Sequence, residues 1–377
     1  MIKTLIPQEV LDSDAKILFI VHLAIGDFTY LQNFFLALTQ QYPKLRVDLF
    51  IDETRRTEEA EKWPALQQYV LFDWIDTCSF FNKVYKHTYN NETLLKSIQA
   101  AQAERYSVVI SLATIGHYHY AQLVQAIANG HSRTIATRAK TGLFQYKRRR
   151  IYRALDATIA PFQYTAEQDH ISDQYAYLFG TLAGLKLTKK ERYPFIQNIP
   201  EVWQTQADAF LAHHKVDRAD PLVFINPFAK DPNRCWPITH ALSLIANLSR
   251  EPAWAKAKFV FNAMPQDVAL IEPALAASQL DNVVIFSALN NFFELPVMIG
   301  QCDLVISVET SVMHLANAMK VPVIALMNQT TPEWYPIDQA LSTVLVTQHA
   351  EEPISAIGVN TVTEAVLAHG LPQKTPR

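Results

Sequence analysis

The segment Leu304–Met319 reads LVISVETSVMHLANAM and concentrates more potential chemistry than any other. A buried-strand run ends at Val308, and helical spacing begins within three residues. Free backbone N–H groups and the positive end of the helix dipole then meet whatever lies beyond the strand, an arrangement suited to a pyrophosphate. Thr310 and Ser311 stand at the helix start. Thr310 and His314 are four apart and share one helix face. Glu309 is a carboxylate at the strand end, placed for sugar hydroxyls. The plainer alternative is that Thr310 or Ser311 caps the helix and His314 packs.

Two other stretches place reactive groups after a strand. In Phe224–Pro237, FINPFAKDPNRCWP, a strand runs into a polar loop whose cations are Lys230 and Arg234. An Arg fork can hold two phosphate oxygens, and a leaving diphosphate needs such a cation where no metal serves. The alternative is a surface loop anchored by Trp236. In Ile25-Gly26-Asp27, Gly26 lets the chain turn close to a ligand. Asp27 is then either an N-cap or a general base that takes the proton of an attacking hydroxyl. Asp267 could hold ribose hydroxyls or cap the next helix.

His117 and His119 follow a strand ending at Leu112 and line its acceptor side. Lys140, Lys147, Arg148, Arg149, Arg150 and Arg153 form the densest local charge. That cluster suits an anionic acceptor or an acidic membrane surface, or is a solvated helix face. Nucleic acid is not indicated, because net charge is -3 and no stacking pattern or DNA-binding motif accompanies the cluster.

The elements that must position these residues alternate between strand and helix. Strand runs are expected at Lys16–Leu23, Arg46–Ile51, Tyr106–Leu112, Leu222–Asn226, Lys258–Asn262, Asn282–Ser287, Leu304–Val308 and Pro322–Met327, with helical patterns between them. The charge run Glu53–Glu61 reads as a solvated helix face. Alternation lapses between about 150 and 220, and the linker is placed at Asp217–Pro221. This rhythm over 377 residues predicts an α/β protein of two Rossmann-like domains facing across a cleft. Residues 1–200 form the acceptor domain and 201–377 the donor domain, whose terminal helix, Thr361–His369, is free to pack back on the first.

Other classes are disfavoured. There is no GxGxxG and no Walker-type loop, and only nine glycines to build them from. No HExxH or Cys/His cluster occurs, and Asp12-Ser13-Asp14 precedes the first strand instead of ending one, so no metal site is expected. The three cysteines are widely spaced, as in reduced cytosolic proteins. Pro7 and the acids after it break the N-terminal apolar run, which argues against a secretory signal, and no stretch reaches membrane-span length. The expected location is cytoplasmic.

Glu309-Thr310-Ser311-Val312-Met313-His314-Leu315-Ala316 resembles the nucleotide-sugar motif of glycosyltransferase family 9, the lipopolysaccharide heptosyltransferases. There a strand is followed by Asp-Thr-Gly, two residues, then His-Leu-Ala. Here Glu309 stands for Asp and Ser311 for Gly. Arg234-Cys235-Trp236-Pro237 is similar to the family's Lys or Arg before Trp-Pro, with one residue intervening. Asn226-Pro227-Phe228 stands where His-Pro-Gly is frequent. The Gly26-Asp27 pair, the stretch Met264–Asp267 and the loop from Thr330 to Pro336 also resemble family segments.

The resemblance implies a GT-B fold and metal-independent, inverting transfer without a cofactor. The nucleotide-sugar co-substrate would be ADP-heptose, and the acceptor a lipid-linked lipopolysaccharide core oligosaccharide at the cytoplasmic face of the inner membrane. Asp27 would be the base and Arg234, with Lys230, the diphosphate anchor. Ser311 joins Thr310 at the helix start, and Glu309 and His314 orient the sugar. Gly26, His117, His119, Lys147, Arg148 and Arg149 fall to the acceptor. Glu309 and Ser311 also admit another donor, such as a UDP-linked N-acetylhexosamine. The lost glycines admit a GT-B protein that binds nucleotide or glycan without transfer.

Overall fold

The computed structural model describes residues 4–142, 145–165 and 169–370. The chain divides into two compact units, Met1–Arg192 and Tyr193–Arg377. In chain order the first holds α1 (Gln8–Leu11), β1 (Lys16–Val21), α2 (Ile25–Gln41), β2 (Arg46–Ile51), α3 (Trp63–Gln67), α4 (Leu71–Asp76), β3 (Lys83–Tyr85), α5 (Asn91–Ala103), β4 (Val108–Ser111), α6 (His117–Ala128), β5 (Arg133–Thr137), α7 (Tyr146–Arg153), β6 (Ala157–Ile159) and α8 (Ile171–Ala183). The second holds α9 (Glu201–His213), β7 (Leu222–Asn226), α10 (Ile238–Arg250), β8 (Lys258–Asn262), α11 (Pro265–Ser278), β9 (Val283–Phe286), α12 (Glu294–Gln301), β10 (Leu304–Val308), α13 (Ser311–Ala318), β11 (Val323–Met327), β12 (Ser342–Val346) and α14 (Val359–His369). The segment Asp217–Pro221 lies inside the second unit, where it turns the chain from α9 into β7.

Both sheets are parallel throughout and share one strand order. The first runs β3-β2-β1-β4-β5-β6 and the second β12-β11-β10-β7-β8-β9. Each is the doubly wound order of a dinucleotide-binding fold, in which winding reverses between the first and fourth strands. Ligands bind at that reversal, beyond the carboxyl ends of the strands. In the first unit the reversal lies between β1 and β4, and in the second between β7 and β10. The residues after those four strands are therefore where function is expected.

The central strands are apolar on both faces because helices cover both. All but the first residue of β1 and every residue of β10 are buried. Phe19 of β1 stacks on Phe179 of α8 at 5.7 Å and meets Phe35 of α2 edge-on at 5.1 Å. Phe34 stacks on Phe179 at 5.4 Å. These rings pin α2 and α8 to one another and to the sheet. In the second unit Trp236 is 1% exposed, and its indole N–H donates to the Ile357 carbonyl at 2.8 Å. Its backbone N–H donates to Pro227 O at 2.8 Å. The loop between β7 and α10 is thus tied at its base, and α14 packs on α10.

Several short or edge strands escape the sequence pattern. β3 and β6 have three residues each. β12 lies at a sheet edge and has no buried residue. The Glu53–Glu61 run is not a helix face. It is a loop closed by a 3-10 turn at Ala60–Lys62, and several of its charges are held in local ion pairs. Glu53 pairs with Arg55 and Asp52 with Arg56.

Candidate active site

In the second unit the reversal point gathers residues from three loops. Glu309 follows β10 and is 5% exposed. Its Oε1 lies 3.1 Å from an Arg234 guanidinium nitrogen and accepts from the Thr331 hydroxyl at 2.6 Å. Its Oε2 is buried and makes no hydrogen bond within 3.5 Å among the described residues, although the Asn328 backbone lies close enough to favour the charged carboxylate. Burial pushes the Glu309 carboxyl up, while the Thr331 hydrogen bond and the Arg234 charge oppose the rise. A buried acceptor left unmet costs about 1–3 kcal/mol.

Thr310 is the N-cap of α13, and its Oγ1 accepts the Val312 N–H at 3.3 Å. Ser311 is the first helical residue and is partly buried. It is absent from the positive-φ residues, so the backbone here needs no glycine, and the hydroxymethyl group alone distinguishes it from the family's Gly. His314 is 3% exposed, with its ring 5.8 Å from that of Trp334. Arg234 closes a 3-10 turn, Pro232–Arg234, just before the tied Trp236.

Two expected donor residues stand differently. Lys230 is exposed and has no hydrogen bond or ion pair among the described residues. Asp267 does not cap α11. Met264 is the N-cap, and Asp267 sits in the first turn, partly buried. Pro265 starts the helix two residues before Asp267, because a missing N–H costs nothing there.

In the first unit Asp27 lies in the first turn of α2, after β1. The helix starts at Ile25, so Asp27 is not the N-cap and Gly26 is helical instead of a turn residue. The reason is local. Asp27 Oδ2 accepts the Ala24 N–H at 3.3 Å and so draws the helix start back. Oδ1 accepts the Tyr175 hydroxyl of α8 at 3.1 Å. Burial pushes the Asp27 carboxyl above its ordinary value, against the pull of His22 and the Tyr175 hydrogen bond. Such a shift suits a general base.

Around Asp27 stand residues that sequence reasoning passed over. His22 follows β1, its Nε2 3.4 Å from Thr114 Oγ1 and its Nδ1 buried without a hydrogen-bond partner among the described residues. Burial lowers its pKa, while Asp27 and Asp52 raise it. Asp52, at the end of β2, pairs with Arg56 and with His119 Nε2 at 2.9 Å. Burial raises its pKa, but His119 and Arg56 together hold it below the ordinary value. His117 Nδ1 contacts Thr137 Oγ1 at 3.1 Å. That hydroxyl gives its own proton to Ala113 O, so Nδ1 is the donor and Nε2 is left as an acceptor.

The basic residues Lys147, Arg148, Arg149, Arg150 and Arg153 lie on α7, with Lys140 before it. None of the six forms an ion pair with a described carboxylate. Arg148 lies over the ring of Tyr118 at 5.8 Å, which joins α7 to the first turn of α6, where His117 and His119 sit. Among the described residues no group of His, Cys, Asp and Glu is arranged to hold a metal ion, and no helix is long and apolar enough to cross a membrane.

The sequence profile of glycosyltransferase family 9 (heptosyltransferase) matches residues 94–356, well over half of the chain. The chain belongs to glycosyltransferase family 9.

The family 9 match spans the whole Glu309 cluster and begins after Asp27. Solved structures agree with the fold. A family 9 glycosyltransferase from Veillonella parvula aligns with a TM-score of 0.71 at 18% identity, covering 95% of this chain and 97% of that one. The E. coli ADP-heptose lipopolysaccharide heptosyltransferase II gives 0.64 at 18% identity, covering 94% and 98%. The E. coli heptosyltransferase WaaC with ADP gives 0.63 at 15%, covering 94% and 100%. The fold is GT-B. No curated protein matches the chain in sequence. A family 9 chain of this fold is a glycosyltransferase of the heptosyltransferase kind.

Proposed function

We propose that this enzyme transfers heptose from ADP-heptose to a lipid-linked lipopolysaccharide core oligosaccharide, with inversion and without a metal or other cofactor. The observation that carries the donor half is the buried Glu309 carboxylate, shared between Arg234 and Thr331 at the start of α13. A cation, a helix N-terminus and a carboxylate together fit a sugar diphosphate: the first two serve phosphate oxygens and the carboxylate a sugar hydroxyl. The E. coli structures are named for ADP-heptose or contain ADP, and this supports the adenine nucleotide.

In the reaction Asp27 takes the proton of the acceptor hydroxyl as its oxygen attacks the anomeric carbon. The bond from that carbon to the diphosphate breaks, and the charge collects on the leaving phosphate. Arg234 and the N–H groups of α13 stabilise that charge where it develops. Glu309 and His314 orient the sugar, with Ser311 and Thr310 beside the phosphates. Lys230 and Asp267 lie on the same edge and are assigned to the outer phosphate and the ribose. Gly26, His117, His119, Lys147, Arg148 and Arg149 receive the acceptor. The unpaired cations of α7 favour phosphate or carboxylate groups on it and contact with the acidic cytoplasmic face of the inner membrane.

Glu309 in place of Asp and Ser311 in place of Gly favour a second reading, with a UDP-linked N-acetylhexosamine as donor. Calorimetric titration with ADP, UDP, ADP-heptose and UDP-N-acetylglucosamine separates the two. Tighter binding of the adenine pair is expected, and preference for the uridine pair overturns the heptose reading.

A further inference from the structure

The donor edge contains a hydrogen-bond chain that no substrate contact explains. Asn226 ends β7 and is 4% exposed. Its amide nitrogen donates to Ser307 Oγ at 3.0 Å and to Thr310 Oγ1 at 3.0 Å. Its carbonyl accepts from the Asn262 amide, at the end of β8, at 2.8 Å. The four residues lie at or just beyond the ends of β7, β8 and β10, so the chain spans the reversal point of the sheet.

Counting protons fixes its direction. An amide has two N–H donors and one carbonyl acceptor, and a hydroxyl has one proton. Ser307 gives its single proton to Val308 O at 2.8 Å and so needs a donor beside it, which puts the Asn226 NH₂ toward the two hydroxyls and its carbonyl toward the Asn262 amide. Thr310 Oγ1 accepts from Asn226 and from the Val312 N–H. Its own proton is left with one protein neighbour, Ser307 Oγ at 3.4 Å, well beyond the ~2.7–2.8 Å of a good O–H···O bond. Thr310 is thereby held as an acceptor toward the protein and a donor toward the ligand. Without Asn226 the hydroxyl could turn its proton inward to Ser307.

We propose that Asn226 is a positioning residue that, ordered by Asn262, commits the Thr310 proton to a phosphate oxygen of the nucleotide donor. This rests on the donor-site reading above and adds how the site is set before the ligand arrives. Asn226 itself makes no contact with the nucleotide. It acts through Thr310, and removing it matters only while Thr310 carries a proton.

The test is a double-mutant cycle read by calorimetric titration of the whole protein with ADP and with UDP. Asn226→Ala should weaken binding of the preferred diphosphate by about tenfold, the scale of one hydrogen bond to a charged group. Thr310→Val should weaken it similarly, and Thr310→Ser, which keeps the proton, should restore affinity. In the Thr310→Val background Asn226→Ala should have no further effect. Asn262→Ala, at a less buried position, gives a smaller loss that also vanishes in that background and serves if Asn226→Ala does not fold. Equal losses in both backgrounds, or unchanged affinity in folded Asn226→Ala, overturn the proposal while the donor site stands. Failure of the wild-type protein to bind either diphosphate overturns the donor site and the proposal with it.

Discussion

An Arg234 guanidinium nitrogen lies 3.1 Å from Glu309 Oε1, so the proposed donor site holds its cation on a carboxylate. A diphosphate must compete with that carboxylate for the guanidinium, and a sugar must then satisfy the buried Glu309. Glu309→Gln separates the two effects. It removes the competing charge, so ADP alone should bind as tightly as before or a few-fold tighter. Transfer should fall by roughly 10–100-fold, the range for loss of a hydrogen bond to a charged group. Weaker ADP binding with unchanged turnover would show that Glu309 serves the nucleotide.

Asp27 and Tyr175, 148 residues apart in the chain, meet at 3.1 Å. The hydroxyl donates to the carboxylate and favours its charged form, which opposes the rise caused by burial. Activity that needs ionised Asp27 should therefore be lost on the acid side at a higher pH than an unperturbed Asp would give. Tyr175→Phe removes a stabiliser of the anion, so this limb should move to higher pH. The check is the pH profile of kcat/KM for both proteins. A limb that stays or moves to lower pH counts against Asp27 as the base.

The same shift makes a stability claim of definite sign. A carboxyl whose pKa is higher in the folded state binds its proton more tightly there. Its contribution is fully present below the unfolded pKa and is lost as pH rises through the folded one. At neutral pH ionised Asp27 therefore costs stability, and Asp27→Asn should raise Tm there. The gain should shrink below about pH 4, where the unfolded carboxyl is also protonated. Thermal melts across pH test this, and a neutral-pH Tm that falls in the variant contradicts it.

Trp236 holds the Arg234 loop through its indole N–H on Ile357 O. Trp236→Phe keeps most of the ring but leaves a buried carbonyl unmet, at a cost of about 1–3 kcal/mol. Stability should drop by that amount in denaturant melts, and ADP affinity should fall with it. Lost stability with unchanged ADP affinity would separate the anchor from Arg234.

How much of this was legible depended on whether a residue's partners lie nearby in sequence. β10 and β7 were bounded correctly because each is a continuous apolar run buried on both faces. The Glu309–His314 segment was legible because strand end, cap and helix start follow in order. His22 was passed over, since its meaning comes from Asp27 and Thr114 once β1 and β4 lie side by side. Tyr175 carries no local sign that it bonds Asp27, and Asn226 looks ordinary until Asn262, Ser307 and Thr310 surround it. The Glu53–Glu61 run reads as a helix face because its mixed charges sit close together, but they pair with opposite charges two to four residues away in a loop. β3 and β6 are too short to show a period at all.

The α7 cations Lys147, Arg148, Arg150 and Arg153 have no described carboxylate partners. Reversing all four to Glu should raise KM for an anionic acceptor and leave the donor KM unchanged. The loss should shrink as salt rises, because exposed charges are screened within about 8 Å at physiological ionic strength. An unchanged acceptor KM would remove α7 from acceptor binding.

The central claim is transfer with Asp27 as base, and sugar transfer to an inner-core acceptor mixture in EDTA tests it most directly. ADP-heptose, UDP-hexoses and UDP-N-acetylhexosamines are offered to the wild-type protein and to Asp27→Asn. The account predicts turnover of ADP-heptose in EDTA, reduced about 10²–10⁴-fold in the variant, with the donor still bound. Turnover that survives in Asp27→Asn, or binding of every donor without transfer of any, would contradict it.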